Sequence, residues 1–143
     1  MIDRFNIRVY MLMQKGDHLL VADEIIRGEH YTKFPGGGLE YGEGMVACLH
    51  REAIEEFGQA VQNPIHFYTT DFFQQSVFRP EDQIVSVYYK CEFENAIQFR
   101  IAESRFDFLP EKRESFRWVK IQELSVSELS FPIDRKVLSL LQA

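Results

Sequence analysis

The sequence has few cysteines. Its 143 residues contain only Cys48 and Cys91, which lie in different segments and lack any C-x-x-C or His-rich spacing. Such spacing is what a structural zinc site requires, and a disulfide framework needs more cysteines than this chain has. We therefore expect both thiols to be reduced and to serve packing.

Basic charge and long apolar runs are also lacking. There are 16 Lys and Arg residues against 22 Asp and Glu, a formal net charge of -6. This balance excludes a general attraction to a nucleic-acid backbone. The N-terminal segment carries Arg4 and Arg8 and loses its apolar alternation at Gln14, so it matches neither a signal peptide nor a membrane span. We expect no nucleic-acid partner, no membrane association and a cytoplasmic location.

The composition is otherwise that of an ordinary globular protein. Apolar residues make up 45% and charged residues 27% of the chain, too apolar for a disordered protein. The length suits one hydrophobic core and is too short for two. We expect a single domain over residues 1–143.

The hydrophobic pattern alternates between strand and helix periods. Alternating, β-branched or aromatic residues predict strands over 5–13, 18–23, 30–34, 65–73, 83–93 and 115–121. Helical periodicity predicts helices over 44–57 and 132–141. The glycines of segment 35–38 predict a loop. This order favours a mixed β-sheet packed between helices, an α/β or α+β architecture.

The first predicted helix combines an apolar face with a cluster of carboxylates. At about 100° per residue, one arc holds Val46, Leu49, Ala53 and Phe57. The opposite flank holds Glu52, Glu55 and Glu56. Like charges this close repel, and a divalent cation such as Mg²⁺, which prefers oxygen ligands, would remove that cost. Taken alone, however, these glutamates are also typical of a solvated helix face.

The spacing around this helix distinguishes the two interpretations. Gly37, five residues, Glu43, seven residues and then the run Arg51-Glu52-Ala53-Ile54-Glu55-Glu56-Phe57-Gly58 resemble the Nudix hydrolase (MutT-like) signature, over residues 37–59. The preceding Phe34-Pro35-Gly36 and the later Phe116-Arg117-Trp118-Val119 also resemble that family. Gln59 and Ala53 depart from its pattern without touching a carboxylate position.

The resemblance implies a fold, a cofactor and roles for residues. The fold would be a Nudix-like α/β/α sandwich around a central mixed β-sheet. The activity would be hydrolysis of a phosphoanhydride bond in a nucleoside diphosphate derivative with Mg²⁺ or Mn²⁺. The metal ligands would be Glu52, Glu55, Glu56 and the carbonyl of Gly37, and Glu43 with Arg51 would form a structural salt link. Glu52 or Glu55 would be the catalytic base, with alternatives on a later segment at Glu103, Asp107, Glu111 and Glu114.

The substrate is less well specified by the sequence. A small-molecule nucleotide is implied, and a nucleoside triphosphate or nucleotide sugar is slightly favoured because motifs of other subfamilies are absent. The aromatic segment 67–73 and the pair Tyr88-Tyr89 either stack on a nucleobase or belong to the core. Arg8, Arg27 and Lys33 either contact phosphate or are surface charges. A non-catalytic nucleotide sensor is the competing hypothesis, and a homodimer is compatible with either.

Overall fold

The computed structural model describes all 143 residues, Met1–Ala143. Its seven strands are β1 (Arg4–Lys15), β2 (His18–Ile26), β3 (Glu29–Lys33), β4 (Gly36–Gly38), β5 (Val61–Thr69), β6 (Asp82–Phe93) and β7 (Glu114–Lys120). Its helices are α1 (Met45–Phe57) and α2 (Pro132–Gln142), with a short 3₁₀ turn at Val126–Glu128. Contacts divide the chain into two compact units, residues 1–12 with 36–97 and residues 13–35 with 98–143. Strand β1 contributes to both.

The first unit combines strands with helix α1. Strand β1 pairs antiparallel with β4 in the register Arg8↔Gly38, Val9↔Gly37 and Tyr10↔Gly36, and β6 pairs antiparallel with β5. Helix α1 packs on β4 and β5. The buried residues of this unit include Val9, Met11, Leu49, Ala53, Val61 and Tyr88. Three of the four residues predicted for the apolar stripe of α1, Leu49, Ala53 and Phe57, are therefore buried, and Val46 is the exception.

The second unit is built on the central strand β2. It pairs antiparallel with β7 and with β3, and its first residues form a hairpin with the end of β1 at Gln14↔Leu19. A parallel bridge joins Ile101 to Phe116. Helix α2 buries Ile133, Val137 and Leu138, as its periodicity predicts. The predicted combination of a mixed β-sheet with helices, an α+β fold, is confirmed.

An ion pair lies in the core of the second unit. Asp23 is fully buried, and its carboxylate accepts hydrogen bonds from Arg117 Nε at 2.6 Å and Nη2 at 3.2 Å. It also accepts from the hydroxyl of Thr32 at 2.8 Å. A buried carboxylate is tolerated only when charge and hydrogen bonds compensate its lost hydration, and these contacts supply both.

Two predicted segments differ in the structure. Residues 36–38 form strand β4 and not a loop, because glycine lets the backbone approach β1: a Cβ on Gly36 would collide with Val9 and Tyr10. The strand predicted over 65–73 instead spans Val61–Thr69. Asn63 has a left-handed φ of 55° and the strand carries a register irregularity there, so a sequence typical of a turn lies inside a strand.

The core face of α1 also differs from its prediction. Val46 is 41% exposed, whereas Cys48 and Glu52 are buried. Glu52 therefore lies on the packed side of the helix and not on a solvated flank. Both cysteines are buried and neither forms a disulfide, as expected. Neither helix has the length and apolar character needed to cross a bilayer.

Candidate active site

The acidic cluster is positioned by the turn that connects β4 to α1. Helix α1 follows Gly44, which has extended backbone geometry, and ends at Gly58, whose φ of 66° is left-handed. The Gly58 N–H closes the last turn on the carbonyl of Ile54 at 2.9 Å. Glycine takes this conformation without the steric cost that other residues bear. These two glycines set the length of the helix that carries the glutamates.

Glu52 lies directly against Gly37. A Cβ added to Gly37 would collide with the carboxylate carbon and both carboxylate oxygens of Glu52. The absence of a side chain at Gly37 is therefore what allows a carboxylate to enter the packed face of α1. Burial raises the pKa of Glu52, and the charges of Glu55 and Glu56 raise it further, while Arg51 opposes the shift. Glu52 is a partly desolvated carboxylate among like charges.

Arg51 is the cationic centre of the site. Its Nε donates to Glu43 Oε2 at 3.0 Å and its Nη2 to Glu43 Oε1 at 2.7 Å. Its Nη1 donates to Glu52 Oε1 and to Glu55 Oε2, both at 3.0 Å. Two of the three helix carboxylates thus converge on one guanidinium nitrogen. The neighbouring acids hold the pKa of Arg51 above its usual range, led by the hydrogen bond to Glu43.

Glu43 fastens the turn to the helix. Besides the two bonds from Arg51, its Oε1 accepts from the backbone N–H of Glu40 at 2.9 Å. The hydrogen bond from Arg51 is the main reason that the pKa of Glu43 falls to about 2. The ion pair implied by the family resemblance is present in the structure. It holds the backbone of the turn in one conformation next to the carboxylates.

Cys48 and Gly38 join the same network, which sequence reasoning missed. The Cys48 thiol donates to the carbonyl of Gly38 at 3.6 Å, and Arg51 Nη2 donates to that carbonyl at 2.9 Å. Burial is the main reason that the pKa of Cys48 rises to about 12. The i, i+3 spacing of Cys48 and Arg51 would have indicated a shared helix face. Cys48 is a neutral hydrogen-bonding member of the site.

The oxygen atoms of this site are the type of ligand that a small, hard cation prefers. Mg²⁺ prefers oxygen ligands such as carboxylates. Because Gly37 has no side chain, the Glu52 carboxylate lies directly against the Gly37 backbone. No three His, Cys, Asp or Glu side chains are yet gathered around one point. In this structure the guanidinium of Arg51 supplies the positive charge between Glu52 and Glu55. Glu56, half-buried, follows Glu52 by one helical turn.

The alternative base residues belong to the second unit. Glu103 and Glu111 are exposed, and Glu114 begins strand β7. Asp107 is paired with Arg100, whose Nη2 lies 2.7 Å from its carboxylate. Glu52, Glu55 and Glu56 belong to the first unit, and these four residues belong to the second.

The candidate aromatic and cationic contacts divide into core and surface residues. Tyr88 is fully buried and stacks with Tyr10 at a centroid distance of 5.2 Å, so it belongs to the core. Phe72 and Phe73 are exposed beyond the end of β5. Among the cations, Arg27 is exposed, whereas Lys33 is buried beside Glu24 at 3.3 Å. Arg8 is half-buried and adjoins Gly38.

Comparisons with solved structures show the same fold. A NUDIX hydrolase from Nitrosomonas europaea superposes with a TM-score of 0.70 at 18% identity, over 94% of this chain and 86% of that one. A MutT NUDIX hydrolase from Burkholderia pseudomallei gives 0.74 at 16% identity, over 96% and 98%. The E. coli ORF135 protein gives 0.73 at 16% identity, over 96% and 89%.

Comparisons of sequence identify the family. No curated protein matches the chain in a direct search. The NUDIX domain family model, in contrast, matches residues 3–141, nearly the whole chain. This range includes the cluster of Gly37, Glu43, Arg51 and the three helix glutamates. The chain therefore belongs to the Nudix hydrolase family.

Proposed function

We propose that this chain is a divalent-metal-dependent hydrolase that cleaves a phosphoanhydride bond in a nucleoside diphosphate derivative. A nucleoside triphosphate or nucleotide sugar is the favoured substrate, and Mg²⁺ or Mn²⁺ the cofactor. The observation that carries this proposal is the Glu52 carboxylate, buried against Gly37 and joined to Glu55 through one nitrogen of Arg51. A cluster of charges costs stability when it is buried, so its presence points to a function.

In this proposal Glu52, Glu55 and Glu56, with the Gly37 carbonyl, hold the metal. A bound divalent cation supplies positive charge that polarises the phosphates and makes water more acidic. The chain itself holds the turn next to the helix that carries these carboxylates, since Glu43 of the turn is bound by Arg51 of the helix.

The reaction is attack of water on phosphorus, which forms one P–O bond and breaks the bridging P–O bond. The proton of the attacking water passes to a carboxylate. Glu52 or Glu55 takes this role. Burial raises the pKa of Glu52, which brings this carboxylate closer to the range of an effective general base. Glu55, which is more exposed, is the better placed of the two to meet solvent.

The test is release of phosphate or pyrophosphate from nucleoside triphosphates, nucleotide sugars, ADP-ribose and dinucleoside polyphosphates with Mg²⁺ or Mn²⁺. We expect cleavage of at least one compound, abolished by a chelator and reduced by about 10²- to 10⁴-fold in kcat in Glu55→Gln. Glu94→Gln removes an exposed carboxylate of the same unit and is the matched control. Tight binding of a nucleotide without any cleavage would replace the hydrolase by the sensor hypothesis.

A further inference from the structure

Tyr41 is the most exposed aromatic side chain in the structure, and it lies in the turn between β4 and α1. Its side chain is fully exposed, so the protein covers neither face of the ring. A Cβ placed on Gly42 or on Gly44 would meet nothing within 4 Å, which shows that the space beside these two residues is open as well. Single exposed aromatic residues are common on protein surfaces, so the position of this one decides whether it has a function.

The turn that carries Tyr41 is held by hydrogen bonds on both sides of this residue. The Glu43 N–H donates to the carbonyl of Glu40 at 3.3 Å, and the Glu40 N–H donates to Glu43 Oε1 at 2.9 Å. Just before them, the Leu39 N–H donates to the carbonyl of Ile7 on β1 at 2.8 Å. The backbone at Tyr41 is therefore held in place while its ring is accessible, which lowers the entropy lost when a ligand binds.

The same turn is joined to the acidic cluster through Arg51. Arg51 Nη1 lies 3.6 Å from Glu40 Oε1, and Glu40 is the residue before Tyr41. The same nitrogen donates to Glu52 and to Glu55, both at 3.0 Å. One guanidinium therefore separates the backbone that carries the exposed ring from two of the carboxylates proposed to hold the metal. A substrate bound at those carboxylates would lie beside this turn.

The charges around Tyr41 favour an uncharged part of the substrate. Glu40 and Glu43 are the titratable neighbours in the turn, and carboxylates repel phosphate groups. A nucleobase is neutral and planar, and every base has a π-face that stacks on an aromatic side chain. Tyrosine is well suited to such a contact, because it offers a large rigid surface and has only two side-chain torsions to fix. With the phosphates at the metal, the base of a nucleotide is the group that fits over this turn.

We infer that the ring of Tyr41 stacks on the base of the nucleotide substrate. The inference rests on the proposed function, and it narrows the substrate to phosphoanhydrides that carry a planar aromatic base. Because stacking uses the π-face that all bases share, this contact selects for the presence of a base and does not read its hydrogen-bonding groups. It assigns a substrate-binding role to the turn, separate from the helix that carries the glutamates.

The first experiment compares Tyr41→Ala and Tyr41→Phe with Phe5→Ala, which removes another exposed ring from the same unit. With a nucleotide that the wild type cleaves, we expect KM to rise about 5- to 150-fold in Tyr41→Ala, the factor for one lost base stack. Tyr41→Phe keeps the ring and should stay within about 2-fold of the wild type. An unchanged KM in Tyr41→Ala, or an equal rise in Phe5→Ala, would overturn the inference.

The kcat value should change by less than about 3-fold in Tyr41→Ala, because a contact to the base is made equally in the ground state and in the transition state. A loss confined to kcat, with KM unchanged, would place Tyr41 in the chemical step and would contradict a stacking role.

A ligand without a base separates stacking from a merely structural role of the turn. Inorganic tripolyphosphate, used as an inhibitor of nucleotide cleavage, presents phosphates alone. We expect its inhibition constant to be the same for the wild type and Tyr41→Ala. The urea midpoint of unfolding should also be unchanged, because the fully exposed ring makes no packing contact that stabilises the fold. Weakening of tripolyphosphate and nucleotide by the same factor would contradict a contact with the base.

Failure of the proposed function is distinguished by direct binding. If the wild type cleaves nothing, calorimetry with the same nucleotides and Mg²⁺ measures affinity without chemistry. Binding that is weakened in Tyr41→Ala and retained in Tyr41→Phe and Phe5→Ala would support the stacking contact in a non-catalytic protein. Equal binding by Tyr41→Ala and the wild type, or no binding by the wild type, would refute it.

Discussion

Arg51 and Glu43, eight residues apart, form a bidentate ion pair. Nε and Nη2 of Arg51 donate to the two carboxylate oxygens of Glu43 at 3.0 and 2.7 Å. The remaining nitrogen, Nη1, is directed to Glu52 and Glu55. The residue that braces the turn is thus the residue that balances the charge of the acidic cluster. A planar guanidinium can serve both purposes because its donors diverge, whereas an ammonium group cannot.

This ion pair predicts a specific acid dependence of stability. The pKa of Glu43 is about 2 in the folded protein against an ordinary value of 4.5, mainly because of the hydrogen bond from Arg51. Between those values the folded state binds fewer protons than the unfolded state, so stability rises with pH. The contribution is therefore complete above about 4.5 and is lost as the pH falls toward about 2.

The measurement is urea unfolding of the wild type and Glu43→Gln across this acid range. We expect the wild type to be the more stable protein above about 4.5, and the two curves to converge as Glu43 becomes protonated. Glu94→Gln, which removes an exposed carboxylate, should follow the wild type. A constant difference between wild type and Glu43→Gln at every pH would show that the ion pair is not responsible.

Gly37→Ala should disrupt the acidic cluster through a single methyl group. The new Cβ would overlap the Glu52 carboxylate, so either the carboxylate or strand β4 must shift. We expect a loss of about 1–3 kcal/mol in the free energy of unfolding. Activity should fall by about 100-fold, the cost of misplacing a catalytic group by an ångström.

The control for this substitution is Gly44→Ala. A Cβ at Gly44 meets nothing within 4 Å, and the residue has ordinary extended geometry. We expect nearly full activity and at most a small loss of stability from the changed N-cap. Equal losses of activity in the two variants would mean that the turn as a whole, and not the contact with Glu52, is sensitive.

The effect of Glu52→Gln on the free energy of unfolding should change sign when metal is added. Burial raises the pKa of Glu52 even though Arg51 is adjacent, so at neutral pH its charge costs stability in the metal-free protein. Without metal we expect Glu52→Gln to be as stable as the wild type or more so. With Mg²⁺ at 100 times its dissociation constant the wild type should gain about 2.7 kcal/mol, and the variant much less.

This reversal is measured by thermal unfolding with a chelator and with increasing Mg²⁺. The raised pKa fixes the sign: the cost of the charge is absent below the ordinary value and complete above the folded value. Glu94→Gln should gain as much from Mg²⁺ as the wild type does. Equal stabilisation of Glu52→Gln by Mg²⁺ would remove Glu52 from the proposed metal ligands.

Asp23→Asn tests the buried ion pair of the second unit. Asp23 is fully buried and Arg117 nearly so, and removal of one charge leaves the other without compensation. We expect a loss of about 3–5 kcal/mol in the free energy of unfolding. Asp107→Asn breaks the half-exposed pair with Arg100 and should cost only about 0–1 kcal/mol. Similar losses of unfolding free energy in the two variants would show that burial does not make the Asp23–Arg117 pair more important than an exposed one.

The sequence by itself determined the helix of the signature and the position of its carboxylates along the chain. The apolar period ends at Phe57, Gly58 supplies the left-handed residue, and the structure has α1 at Met45–Phe57. The i, i+3 and i, i+4 spacing of Glu52, Glu55 and Glu56 follows from helix geometry alone. The family membership rests on this same spacing and is confirmed over residues 3–141. These features are local, so a local pattern was sufficient to predict them.

Only the tertiary structure decided what lies opposite each residue. Segment 36–38 is a strand because β1 lies beside it, and Glu52 is buried because Gly37, fifteen residues earlier, leaves space for its carboxylate. Lys33 and Asp23 are charged residues inside the protein because Glu24 and Arg117 meet them there. A periodic pattern records how often a side chain faces the core, but not which group it meets. That partner, and with it the cost or benefit of a buried charge, comes from residues distant in the sequence.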